Sequence, residues 1–181
     1  MENKVRFLTT TALMAAVICV LGPLSIPIGP VPISLTNLAI YITMYVLDTK
    51  RGVIAYCIYM LMGLIGLPVF SGFTGGPGKL FGPTGGYIIG FLPMAAIIGI
   101  VLNKYWNNKI ISIIAMEAAT WIPYILGTAW LSVQAGMSFK AAFAAGVLPF
   151  IILDLIKIVI STFAGPVLKT RLKIFSELPK P

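Results

Sequence analysis

Residues 86–102 read Gly-Tyr-Ile-Ile-Gly-Phe-Leu-Pro-Met-Ala-Ala-Ile-Ile-Gly-Ile-Val-Leu, an apolar run without a charged side chain. Turn residues and charges mark off five further apolar segments, at 7–21, 35–47, 53–65, 110–131 and 147–168. A helix spans a bilayer with about 20 apolar residues, so six spans would consume most of the chain. The segments at 35–47 and 53–65 are short for a full span and read as tilted partners in a bundle or as extending into their flanking loops. The expected fold is all-α: a polytopic membrane protein, a compact bundle of six transmembrane helices forming a single membrane-embedded domain over 1–181.

Composition supports this reading. Of the 181 residues, 59% are hydrophobic and 10% charged, against roughly 25% charged in a soluble domain. A large core cannot absorb the difference, because a chain this short leaves much of its surface in contact with its solvent. That solvent is lipid. The N-terminus, Lys4 and Arg6 followed by the apolar run, has the layout of a signal peptide. The run ends in Gly22-Pro23 and then Leu24-Ser25-Ile26-Pro27 rather than in a small-residue cleavage site, and it reads as a retained first span.

The net charge of +8 is accounted for by membrane orientation and needs no nucleic acid. With alternating helices, ten lysines and arginines fall on one side (positions 4, 6, 50, 51, 104, 109, 169, 171, 173 and 180) and only Lys79 and Lys140 on the other. The bias puts both termini in the cytoplasm and turns the loops at 23–34, 66–85 and 132–146 outward. The first two outward loops are apolar and rich in glycine and proline, suited to folding back over the bundle as a lid and pocket wall.

The chemistry sits inside the membrane. Asp154 and Lys157 are three residues apart, on one face of the last segment. Each charge near the bilayer centre costs about 2.5–3.5 kcal/mol, which points to a polar ligand site. Asp154 stands seven residues beyond Val147, about 10 Å below the outer end of the helix, where a pocket under the loops would have its floor. Asp154 can accept N–H bonds and Lys157 can hold a carboxylate. Glu117 is a second intramembrane acid and reads as structural or partner-facing. Ala12 and Ala16, four apart in the first segment, form a small-residue surface that a neighbouring helix can approach closely.

Other chemistries fall away. Cys19 and Cys57 lie in apolar runs without metal-ligand or redox spacing. The chain has no histidine, which removes HExxH metal sites and Ser–His or Cys–His nucleophiles. The stretch Gly72–Leu80 falls short of a phosphate loop, with Phe73 at the first glycine position and Leu80 at the Ser/Thr position. No catalysis is expected.

Together these features resemble the BioY family, the biotin-binding S-components of energy-coupling factor (ECF) transporters. The resemblance rests most specifically on Gly66-Leu67-Pro68-Val69-Phe70 followed by Gly82-Pro83-Thr84-Gly85-Gly86-Tyr87. It extends through Ile26-Pro27-Ile28-Gly29-Pro30-Val31-Pro32-Ile33, through Tyr124, Gly127, Trp130 and Leu131, and through the Asp154–Lys157 pair, covering nearly the whole chain. The chain departs where Ile152-Leu153 replace a frequent Pro-Gly, and near Thr74, where the family often has an arginine.

The resemblance implies a six-helix protein of the bacterial cytoplasmic membrane, neither enzyme nor cofactor-dependent, that binds biotin from outside beneath its outer loops. It implies association with a membrane coupling subunit (T-component) and two cytoplasmic ATPases, with Ala12 and Ala16 at the coupling-subunit contact. For biotin, Asp154 or Asn37 suits the ureido N–H groups, Lys157 the carboxylate, and Phe70, Tyr87 and Trp130 an aromatic wall. Which end of biotin meets the Asp–Lys pair is left open. The alternatives are an S-component for another small vitamin and a stand-alone biotin transporter.

Overall fold

The structure, a computed structural model, describes residues 2–176. Helix α1 (Glu2–Leu21) leads into a two-residue hairpin, β1 (Ser25–Ile26) with β2 (Ile33–Ser34). Then follow α2 (Thr36–Val46), α3 (Thr49–Leu64), the single turn α4 (Pro77–Leu80), α5 (Gly85–Tyr105), α6 (Lys109–Ala135), α7 (Phe139–Gly146) and α8 (Leu148–Ser176). The expected helical class holds. Among the described residues, three stretches are long and apolar enough to cross a membrane, namely α5, α6 and the α7–α8 stretch Phe139–Leu172. The apolar helices Val5–Leu21 and Thr36–Val46 are shorter. The 11 residues of α2 rise only about 17 Å, so α2 crosses part of a bilayer of roughly 30 Å.

Local chemistry fixes the boundaries. Asp48 caps α3, its carboxylate accepting from the Arg51 amide (2.9 Å) and from the Arg51 side chain (2.6 Å). Burial pushes the Asp48 carboxyl up, but these Arg51 contacts outweigh it and hold it below its ordinary range. Asn108 caps α6 through the Ile111 amide, and Ser138 caps α7 through the Ala141 amide. Helix α6 ends on Gly136 at φ 61°, a left-handed position that suits glycine.

Helices α5 and α6 are joined along a seam of small residues. Gly86 and Gly90 stand one turn apart on α5. A Cβ on Gly90 would lie 2.7 Å from Pro123 Cα, and one on Gly86 would overlap Trp130. Such gaps let two backbones approach closely. Pro123 lies inside α6 at this crossing without ending the helix, as proline is tolerated in membrane helices where neighbours re-satisfy the freed backbone. The core holds four fully or nearly fully buried tyrosines, Tyr41, Tyr45, Tyr56 and Tyr59. The Tyr56 hydroxyl donates to the Ile88 carbonyl (2.6 Å), and the Tyr41 hydroxyl bonds to that of Thr120 (2.6 Å).

The loops are more structured than the sequence indicates. The proline-rich loop after α1 closes as an antiparallel hairpin, Ser25 opposite Ser34 and Ile26 opposite Ile33. The glycine-rich loop docks on it, the Gly72 amide donating to the Pro23 carbonyl (3.0 Å). At the other end the basic turns converge. Asn103 donates to the Thr49 hydroxyl (2.7 Å), tying the end of α5 to the start of α3. Lys169 on α8 lies 5.0 Å from the centre of the Trp106 ring. Replacing Gly90 with valine forces α5 off α6 at a cost of about 1–3 kcal/mol, which lowers the thermal midpoint by roughly 2–12 °C. Gly78→Ala, where nothing lies within 4 Å of the added carbon, leaves the midpoint unchanged in the same melting experiment.

Candidate functional site

Helix α8 carries its buried charges about one and a half to three turns in from its start at Leu148. Asp154 and Lys157 are only 4% and 7% exposed. Their side chains pair at 2.9 Å, as the i, i+3 spacing requires. Lys157 also donates to the Asn37 side-chain oxygen on α2 (3.0 Å) and to the Ser34 carbonyl on β2 (2.8 Å). An ammonium has three N–H donors, and all three of Lys157 are used. The other Asp154 oxygen accepts from the Tyr124 hydroxyl of α6 (2.7 Å). The cluster therefore joins α2, α6, α8 and the hairpin, and leaves neither charge without a partner.

Above this cluster lies a cavity of about 60 Å³. Asp154, Lys157, Asn37 and Tyr124 form its polar end. Tyr59, Phe91, Tyr87 and Phe150 give it aromatic walls, and Val31, Pro32 and Ser71 of the two loops contribute to its lining. Tyr87 is fixed between two helices: a Cβ on Gly127 would overlap its ring and one on Gly146 its hydroxyl. The hydroxyl is buried without a hydrogen-bond partner among the described residues. Thr84 Oγ1, also on the cavity, is buried without a hydrogen-bond partner among the described residues. A cavity with one charged, hydrogen-bonding end and an aromatic body suits a small amphiphilic molecule carrying its own N–H and C=O groups. At 60 Å³ it is well below the roughly 300–1,000 Å³ typical of an occupied ligand site.

A BioY family model matches residues 1–174. The chain is 38% identical over 166 residues to the biotin transporter BioY2 of Lactococcus lactis, covering 91% of each. It is 37% identical over 164 residues to the biotin transporter BioY of Thermotoga maritima, covering 91% of this chain and 96% of that one. The fold superposes with a TM-score of 0.86, at 34% identity and 93% coverage of both chains, on a crystal structure of the S-component for biotin from an ECF-type ABC transporter. This chain belongs to the BioY family. BioY proteins are transporters, not enzymes, and the apolar helices mark this BioY chain as a membrane protein.

Of the residues expected at the site, Asp154, Lys157, Asn37 and Tyr87 line the cavity, and Phe70 and Trp130 do not. Phe70 is fully buried elsewhere, edge-on to Tyr59 at 5.5 Å and filling the space left open at Gly63. It anchors the glycine-rich loop to α3. Trp130 donates its ring N–H to the Gly82 carbonyl (2.9 Å) and packs on Gly86, bracing the entry to α5. Both are conspicuous aromatics at loop ends, and both hold the loops rather than face the cavity. Tyr124, by contrast, was legible only as part of a motif, although a tyrosine in mid-span demands a hydrogen-bond partner. Nothing in the sequence marked the Ser34 carbonyl, because any residue could supply it. Ala12 and Ala16 lie exposed on α1, beside the buried Thr11 and Ala15.

Removing one member of a buried pair strands the other. Lys157→Met therefore destabilises the protein by about 3–5 kcal/mol. Combining it with Asp154→Asn recovers a large part of that loss in thermal or denaturant unfolding. Independent, additive losses in the two variants would show that the ion pair does not couple them.

Proposed function

We propose that this chain is the biotin-capturing S-component of an ECF-type transporter in the bacterial cytoplasmic membrane. The observation that carries the reading is the polar cluster of Asp154, Lys157, Asn37 and Tyr124 beneath a loop-covered aromatic cavity, in a chain 38% identical to a biotin transporter along 91% of its length. Biotin joins a ureido ring bearing two N–H donors to an aliphatic tail ending in a carboxylate. The Asp154 oxygens retain lone pairs for N–H donors beyond those already bound. Lys157 takes up a carboxylate only by giving up one of its present acceptors, Ser34 or Asn37. The thioether ring and tail lie against Tyr87 and the neighbouring aromatic walls.

The protein sits in the membrane as six helical segments, of which α2 crosses only part of the bilayer, with both termini in the cytoplasm. The excess of lysine and arginine at that end supports this orientation, which turns the cavity and its covering loops outward. Transport is completed by a membrane coupling subunit and two cytoplasmic ATPases. The exposed Ala12 and Ala16 offer α1 a face that a partner helix approaches closely. The chain itself needs no cofactor; biotin is its cargo.

Calorimetric titration of the detergent-solubilised protein gives one-to-one biotin binding without ATP, and none with thiamine or riboflavin. Binding of either control in place of biotin by folded protein would assign the cavity to a different vitamin. A second measurement addresses coupling. Ala12→Trp combined with Ala16→Trp leaves biotin affinity unchanged and abolishes energised uptake in cells, because bulk on an exposed face blocks docking without entering the core. Normal uptake by that variant would remove α1 from the coupling contact.

A further inference from the structure

Three lysines at the basic end of the bundle are held against aromatic rings. Lys109, the first residue of α6, lies 4.4 Å from the centre of the Phe163 ring of α8. Lys169 of α8 lies 5.0 Å from Trp106 in the α5–α6 turn, and Lys104 lies 5.2 Å from Tyr105. These distances are within the roughly 6 Å over which a ring face attracts a cation. Two of the contacts bridge the α5–α6 turn to the last part of α8, so the ammonium groups are gathered at one place. Among the described residues the ion pairs are Arg51–Asp48 and Lys157–Asp154, so neither Lys104 nor Lys109 has a carboxylate partner there. Asn107, Asn108, Lys109 and Ile110 line a shallow depression at this point.

The surface changes character directly below. Ile110 and Ile114, one turn apart on α6, are 71% and 62% exposed, and Phe163 beside Lys109 is 57% exposed. A cationic, amide-bearing depression above an exposed apolar strip has the polarity of a phospholipid, head above tail. Tyr105 and Trp106 set the level, since such residues sit where headgroups begin.

We propose that the α5–α6 turn and the end of α8 form a binding site for one anionic phospholipid of the inner leaflet. Lys104 and Lys109 meet its phosphate, the Asn107 and Asn108 amides donate beside them, and an acyl chain lies along Ile110, Ile114 and Phe163. The leaflet follows from the orientation proposed above; the site itself does not depend on the identity of the transported molecule. Basic pockets between helices on the cytoplasmic side recognise anionic headgroups in this way. Bound there, the lipid links α6 to α8, the two helices that carry Tyr124 and Asp154.

The test is thermal unfolding of the purified chain in neutral detergent, with phosphatidylglycerol, phosphatidylcholine or inorganic phosphate added, and native mass spectrometry to count retained lipid. Phosphatidylglycerol raises the midpoint by roughly 5 °C more than phosphatidylcholine, with one lipid retained, and inorganic phosphate does not reproduce the rise. The effect disappears in Lys104→Gln with Lys109→Gln. It persists in Lys79→Gln with Lys140→Gln, which removes the same charge elsewhere; circular dichroism verifies that both variants are folded. Equal protection by phosphatidylcholine or by inorganic phosphate overturns the proposal, as does protection that survives loss of Lys104 and Lys109 in folded protein.

Discussion

A lysine ammonium buried among helices must have every N–H satisfied, and the bonds made by Lys157 organise the centre of this molecule. Its three partners lie on three different elements: Asp154 on its own helix, Asn37 on α2 and the Ser34 carbonyl of the hairpin. Asp154 adds a fourth through Tyr124 of α6. Taking two charges out of water costs several kcal/mol each, recovered only when geometry is good and the remaining hydrogen-bonding capacity is filled. The cluster meets that condition, and in doing so fixes how α2, α6, α8 and the hairpin stand relative to one another.

Elsewhere, order comes from steric fit. Without a hydrophobic drive between helices in lipid, contact depends on close packing and on buried hydrogen bonds. Gly86 and Gly90 bring α5 against α6, and Gly127 and Gly146 leave room for Tyr87. The buried tyrosines fill large volumes, and Tyr41 and Tyr56 pair their hydroxyls with Thr120 and the Ile88 carbonyl. The result is a rigid bundle under two loops that are stapled to each other by a backbone bond from Gly72 to Pro23.

The two ends of the bundle are built from different chemistry. The polar floor is completed by the protein's own hydrogen bonds. The loops contribute Val31, Pro32 and Ser71 to the cavity lining. The opposite end carries lysines resting on aromatic rings.

The sequence by itself determined the helical class, the family and the gathering of lysine and arginine in alternate turns. Apolar runs, Lys/Arg placement and the glycine-rich block are local or one-dimensional signals that need no knowledge of packing. It also singled out Asp154 and Lys157, because charges in an apolar helix stand out wherever the helix goes, and Asn37 and Tyr87 with them, and all four line the cavity. Only the tertiary structure decided which other residues share the cavity. It turned Phe70 and Trp130 into loop braces, brought Tyr124 and the Ser34 carbonyl to the ion pair, and folded the proline-rich loop into a hairpin. Those outcomes depend on which faces of separate helices meet, and helix contacts in lipid are set by steric fit between distant small residues, a relation that no single stretch of the chain records.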